Sequence, residues 1–159
     1  EQKMNSTDTN VGGWPSAMRT YVNTTVYNAL PSDLQNVIAT TTVVSGHGST
    51  SGEANFTSSD KLYLLSTKEV WGKDGTANTI NWDTAETETR QLDYYKNKGV
   101  TTSNYRGAIK QYNGTNSYWW LRSATSSYTS YFFPVNNNGG WDTDYAINAN
   151  GVAPAFRIA

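Results

Sequence analysis

No cysteine occurs in these 159 residues, so the chain must hold its fold together without a disulfide or a thiolate–metal crosslink. A chain of this length makes one domain and buries a substantial core. Much of what it has to bury is aromatic: 6 Trp, 11 Tyr and 4 Phe. Each such ring removes a large area from water and orients its neighbours. The same lack excludes cysteine nucleophiles and thiolate zinc sites. Only 36% of residues are hydrophobic and 16% charged, the remainder being rich in 22 Thr, 17 Asn and 15 Ser. Solubility from hydroxyls and amides suits an extracellular surface; a biased genomic base composition gives the same numbers. Twelve Lys+Arg against 13 Asp+Glu leave a formal charge of −1, with no basic run. That balance gives no footprint for nucleic acid or an anionic membrane. No apolar run spans a bilayer, and any export signal is expected to lie outside this sequence or to have been removed.

Residues 1–10 are polar and unpatterned and read as a frayed terminus, leaving one domain over 11–159. Gly12-Gly13-Trp14-Pro15 reads as a turn into a helix, with Pro15 at its first position and Trp14, Met18, Tyr21 and Val22 on one face. Leu30, Leu34, Val37 and Ile38 form the apolar stripe of a second helix. Residues 45–59 read as a loop, and 61–65 as a buried strand. Ser66-Thr67-Lys68-Glu69 matches a capping box, with Gly72 as its stop. A polar helix is expected over 84–96, with Gly99 past its end. From Tyr118 onward the chain reads as strands and turns: 118–121, then 131–135, a turn at 136–140, Trp141, and a weakly alternating closing strand over 152–158. Pro154 assigns that last run to an edge or a bulge. Helices first and a small antiparallel sheet after them make the fold class α+β.

Composition changes sharply at Ser123. Residues 123–152 contain no Lys, Glu, Gln or Met, whereas all 7 Lys, 5 Glu, 4 Gln and 2 Met of the chain lie before them. At the earlier rate about four or five would be expected. What remains is mostly Asn, Ser, Thr, Tyr, Asp, Ala and Gly. Codons ending in a pyrimidine encode this set but not Lys, Glu, Gln, Met or Trp. Asn codons randomised at their adenines would yield it, with Trp141 as fixed framework. The set also has a physical sense: Tyr gives rigid amphipathic contact area, while Ser, Gly and Asn give adaptable hydrogen bonds, as in antibody paratopes. A plain Asn/Ser-rich surface hairpin is the other reading.

Tyr118-Trp119-Trp120-Leu121-Arg122-Ser123, the polar stretch after it, and Gly151-Val152-Ala153-Pro154-Ala155-Phe156-Arg157 together resemble the variable region of diversity-generating-retroelement target proteins. These are bacterial and phage surface domains of the C-type-lectin-like fold, related in architecture to formylglycine-generating enzymes. Gly12-Gly13-Trp14 with Met18-Arg19, and residues 62–71, resemble that group's helical half. The resemblance implies two main helices packed on small antiparallel sheets, paired termini, and a variable region at about 123–150. It implies ligand-facing side chains at Thr125, Ser127, Tyr128, Ser130, Tyr131, Pro134, Gly140, Asp142, Thr143, Asp144, Tyr145, Ile147 and Asn148. It makes scaffold of Trp119, Trp120, Arg122, Trp141, Pro154, Phe156 and Arg157. Arg122 and Arg157 sit in apolar motifs, where a charge has to be paired; both are expected to bind loop carbonyls or carboxylates.

Catalytic chemistry is not legible. His47 is the only histidine, so no His-based triad or multi-histidine metal site can be built. The glycines at 46–52 do not match a dinucleotide fingerprint and read as a mobile loop. Asp142 and Asp144 supply too few oxygens for calcium. Nothing brings them, Glu86 or Glu88 to a glycosidase separation. The related oxidase chemistry uses cysteines. Sequons at Asn5, Asn23, Asn55 and Asn113 matter only in a eukaryotic source. The expectation is a non-catalytic receptor- or adhesin-like domain without metal or cofactor. It would be displayed outside the cell, on a bacterial surface or phage virion, and bind a protein or glycan on another cell or particle. A fixed-specificity sugar-binding module and a non-catalytic scaffold are the alternatives.

Overall fold

A computed structural model describes residues 1–49, 52–72, 82–85 and 90–159. The chain mixes short helices with small antiparallel sheets, an α+β arrangement around one aromatic core. Strand β1 (Gln2–Lys3) opens it, followed by helix α1 (Ala17–Tyr21). Ser16 caps α1 by accepting from the Arg19 N–H at 3.4 Å, one residue beyond Pro15, so the proline precedes the helix rather than starting it. Trp14, Met18 and Val22 are completely buried, the expected face. The helix continues through a π-turn at Val22–Val26. There Asn23 donates to the Arg19 and Leu62 carbonyls and accepts from the Lys61 and Leu62 N–H groups, each near 3 Å. A side chain so engaged is occupied by the fold rather than free as a sequon.

Helix α2 (Ser32–Val37) is a turn and a half long; Leu34 packs on the core while Val37 is exposed and Ile38 is buried in β2 (Ile38–Ala39). Strands β3 (Thr41–Ser45) and β4 (Phe56–Asp60) pair antiparallel, so both ends of the expected loop are strand. Gly46 and Gly48 are buried, and His47 donates its N–H to Thr84 and Asn55, so residues 46–48 are packed; 50 and 51 lie outside the described residues. A Cβ on Gly13 would meet the Gly46 carbonyl at 2.5 Å, a close approach only glycine allows. Residues 61–65 are mainly buried and form no named strand; they join the rest through a Tyr63–Ala155 bridge and the Arg122 N–H to the Leu65 carbonyl. The capping box forms as read: Ser66 and Glu69 satisfy each other's backbone at the start of α3 (Thr67–Trp71), and Gly72 ends it at φ 72°. The long polar helix does not form over its described part. Thr84 and Ala85 are in a turn, 86–89 lie outside the described residues, and α4 covers only Asp93–Asn97, with Gly99 beyond it.

Strands β5 (Lys110–Tyr112) and β6 (Thr115–Ser117) make an exposed hairpin. The central sheet is β7 (Trp119–Ala124), β8 (Tyr131–Val135) and β9 (Asp144–Tyr145), in that order. All six residues of β7 are buried. The termini do not pair with each other. β1 pairs with β10 (Ala149–Asn150), and β11 (Arg157–Ile158) pairs with β2, each terminus finding an internal strand. Nor is the N-terminus frayed. Met4 and Asn10 are completely buried, and Asn5 and Asn10 donate their N–H groups to the Ala146 and Thr129 carbonyls. Among the described residues no helix is long and apolar enough to cross a membrane.

Candidate ligand-binding face

The framework under the face is rigid for identifiable reasons. Arg122 is 1% exposed, yet its guanidinium is fully engaged. It donates to the Val44 carbonyl at 3.0 and 3.2 Å, to the Leu64 carbonyl at 2.8 Å and to the Glu69 carboxylate at 2.5 Å. A buried charge persists only with such pairing. Ser123 and Thr67 both donate to the buried Asp83 carboxylate. Trp119 and Trp120 are buried, their indole N–H groups on the Ala108 and Gln2 carbonyls. Trp141 is half-buried, edge-on to Phe133 at 6.4 Å and to Trp82 at 6.5 Å.

Strands β8 and β9 set Tyr131 opposite Tyr145, and the turn leaving β7 carries Tyr128. The Tyr128 and Tyr131 rings lie 5.2 Å apart and those of Tyr131 and Tyr145 4.6 Å apart, the second pair nearly perpendicular. Tyr128 is 56% and Tyr145 45% exposed, so the cluster faces solvent. The Tyr131 phenol is pushed up to about 12, first by its hydrogen bond with Tyr145, then by desolvation, with Tyr145, Tyr128 and Asp8 adding negative character. It therefore stays protonated at neutral pH. Asp144, beside Tyr145, accepts from the Asn148 and Asn150 amides at 2.6 and 2.8 Å. Asp142 accepts from the Tyr118 hydroxyl at 3.1 Å; burial, then this bond, raises the Tyr118 phenol.

One residue holds the turn beneath the tyrosines. The two N–H groups of the Asn10 amide are shared among the carbonyls of Thr125, Tyr128 and Tyr131, each at 2.7–2.8 Å. Nothing in sequence singles out Asn10, one Asn among 17, in the stretch read as frayed. Tyr118, which donates to Asp142, was also not among the residues expected to face ligand.

Of the residues expected to face ligand, Ser127, Tyr128, Tyr145, Ile147 and Asn148 are exposed, while Ser130, Tyr131, Asp142, Thr143 and Asp144 are partly so. Thr125, Pro134 and Gly140 are buried and do not belong to the face. Thr125 lies under the turn, its hydroxyl on Ser127 at 2.7 Å. Pro134 sits opposite Trp120 in a strand whose last four residues are all buried. Gly140 closes the 136–140 turn. Two expected scaffold residues are also corrected: Phe156 is 38% exposed, and Arg157 is exposed without a side-chain hydrogen bond to any described residue. Only Arg157 and Ile158 of the closing stretch form a strand, and both are exposed.

A concavity of about 820 Å³ is lined by Tyr21, Lys110, Tyr112, Tyr118, Trp119 and Pro154 among others. Tyr118, one of its lining residues, bonds Asp142. His47 turns its Nδ1 to the Gly48 carbonyl at 2.5 Å, and no group of three His, Cys, Asp or Glu able to hold a metal occurs among the described residues. Glu86 and Glu88 lie outside the described residues.

An aromatic core under short strands, with clustered phenols and oriented carboxylates at one end of the central sheet, defines a small α+β domain with a polar aromatic face. Over residues 1–159 the chain matches the family described as a domain of unknown function, DUF6273, and it belongs to that family. No curated protein and no solved structure matches it.

Proposed function

We propose that this protein is a non-catalytic ligand-binding domain, receptor- or adhesin-like, whose binding surface is the Tyr128–Tyr131–Tyr145 cluster with Asp142, Asp144 and Asn148. The observation that carries the reading is that cluster: three rings within 5.2 Å of a neighbour, two of them about half exposed. Exposed rigid aromatics ringed by small polar groups are how paratopes gain contact area at low entropic cost. The backbone beneath is carried by Asn10, Arg122 and the buried tryptophans, so side chains above it can change without disturbing the core. On this reading the composition shift after Ser123 records diversification by a retroelement on a C-type-lectin-like scaffold. The domain would then be displayed outside the cell, on a bacterial surface or phage virion.

Sequencing the genomic locus tests the diversification. An adenine-rich near-copy of the segment encoding 123–150, beside a reverse transcriptase, is expected; a locus with neither removes it. Binding of the immobilised domain to a panel of bacterial cells tests the face. The Tyr128→Ala/Tyr145→Ala double variant is expected to lose retention, since central aromatic anchors typically contribute about 2 kcal/mol or more each. Retention equal to wild type would move the binding site elsewhere.

The groove favours a second reading, a fixed-specificity sugar-binding module. Its volume of about 820 Å³ suits a small ligand, and Tyr112, 72% exposed, offers a ring on which a sugar could stack. Loss of glycan-array binding on Tyr112→Ala, with no loss in the Tyr128/Tyr145 variant, would select it.

A further inference from the structure

Three asparagines of the chain precede a glycine: Asn113, Asn138 and Asn150. An Asn-Gly step is chemically labile, because a glycine nitrogen with no Cβ to shield it can attack the asparagine side chain and close a five-membered imide. The attack needs a glycine N–H free of a hydrogen bond and a side-chain amide free to turn onto it. It also needs a backbone that can rotate to bring the two together. The fold treats the three steps differently.

The Gly139 N–H donates to the Asn136 carbonyl at 2.9 Å. Gly139 is buried, and a Cβ there would meet the Tyr105 carbonyl at 2.3 Å. The Gly151 N–H donates to the Tyr118 carbonyl at 2.9 Å, and the Asn150 amide donates to Asp144 at 2.8 Å. Asn150 is also held in β10, opposite Gln2. In both steps the glycine nitrogen is occupied and the backbone is pinned. Asn113-Gly114 is free of these restraints. Both residues are exposed, and the Gly114 N–H has no backbone partner among the described residues. Nothing lies within 4 Å of where a Gly114 Cβ would stand. Nearby side chains are engaged, Gln111 with Asn116 and Ser117 with the Thr115 carbonyl, whereas Asn113 has no side-chain hydrogen bond to any described residue. The β5–β6 hairpin has three residue pairs and joins no larger sheet. A lone two-stranded hairpin is marginally stable, so its turn opens with little resistance.

We infer that Asn113 is a site of spontaneous modification in the folded protein, deamidating through the Gly114 nitrogen while Asn138 and Asn150 are protected. Hydroxide takes the Gly114 amide proton, and the nitrogen pair forms a bond to Asn113 Cγ. The Cγ–Nδ2 bond breaks, and Nδ2 leaves as ammonia with a proton from solvent. Water then opens the imide at either carbonyl, giving aspartate or isoaspartate. Either product adds one negative charge at the hairpin tip. Isoaspartate also adds a methylene to the main chain. A two-residue turn cannot absorb it, so the Tyr112–Thr115 register is lost and the exposed Tyr112 ring leaves its place in the lining of the groove. This chemistry is independent of which surface binds ligand.

Incubation in mildly alkaline buffer, followed by residue-resolved mass spectrometry, tests it; a parallel sample is unfolded in urea. In the native protein residue 113 is expected to gain one dalton while residues 138 and 150 do not. In urea all three should gain it. Labelling by an isoaspartyl methyltransferase should rise with the native change and be lost in Asn113→Gln. If native Asn138 or Asn150 converts as fast as Asn113, the fold protects neither and the inference fails. If Asn113 does not convert in the native protein, the turn holds its side chain out of reach and the inference fails as well.

Discussion

Asn10 and Arg122 do the same task from opposite ends of legibility. Each is a buried polar side chain that spends its donors on backbone carbonyls distant in sequence. Asn10→Ala removes two N–H donors shared among the Thr125, Tyr128 and Tyr131 carbonyls and leaves these to find water or other donors. Neutral bonds of this kind contribute about 1 kcal/mol net apiece, so a loss of about 2 kcal/mol is expected in urea denaturation, with faster amide exchange confined to the Tyr128 turn. Uniform exchange across the sheet would mean that Asn10 is not its specific support. Arg122→Met leaves Glu69 without its cation and three carbonyl contacts unmade. A loss of about 3–5 kcal/mol is expected, and Arg122→Lys should recover little, because an ammonium cannot match the planar fork. Arg122 could be read from sequence because a charge inside Trp-Trp-Leu-Arg has to be paired. Asn10 could not, because its partners lie 115–121 residues away and no local periodicity encodes a contact at that range.

Elements with local chemistry were legible, and those defined by distant pairing were not. The Ser66–Glu69 capping box needs only four consecutive residues, and it formed. Ser66→Ala should cost about 1 kcal/mol, measured by thermal melt; a variant as stable as wild type would mean that the Thr67 and Ser123 bonds to Asp83 hold α3 without its cap. The α1 face was equally visible, since Trp14, Met18 and Val22 repeat at helical spacing. Strands of two residues, such as β1, β9, β10 and β11, carry too little pattern to detect, and their pairing partners are set by tertiary packing. That is why residues 1–10 read as frayed; the pairing of the termini with each other was implied by the resemblance, and the two-residue strands carry no pattern that could have corrected it. Asn113-Gly114 turns the β5–β6 hairpin with φ 50° and 78°, a hairpin signal that polar flanking residues leave without the alternating apolar pattern that marks strands. Pro134 was misassigned for another reason. The resemblance placed it on the face, but β8 is buried on both faces from Phe132 to Val135, so its side chains do not alternate between core and solvent.

At the scale of the whole molecule the face and the core are separable, and alkaline pH tests the core. Burial first, then Tyr94 and Glu69, pushes the Tyr95 phenol from an ordinary 10.0 up to about 12, and Tyr131 is likewise raised to about 12. A phenol whose folded value exceeds its unfolded one is neutral in the native state while the unfolded chain already ionises. Below pH 10 both states are protonated and the stabilisation is complete. Between pH 10 and 12 the unfolded chain sheds protons that the folded one keeps, so stability falls. The melting temperature should therefore be flat from neutrality to about pH 10 and then decline steeply toward 12. Tyr95→Phe should remove much of that decline, because Phe keeps the ring packed at a position only 4% exposed and has nothing to ionise. Tyr128→Ala/Tyr145→Ala should remove only the part due to Tyr131, whose shift depends first on its bond to Tyr145, and leave the Tyr95 part in place. A decline that persists in full with Tyr95→Phe but vanishes with the double variant would assign the alkaline transition to the surface cluster. That would couple face and core, and a surface free to vary its tyrosines could not then rest on an independent framework.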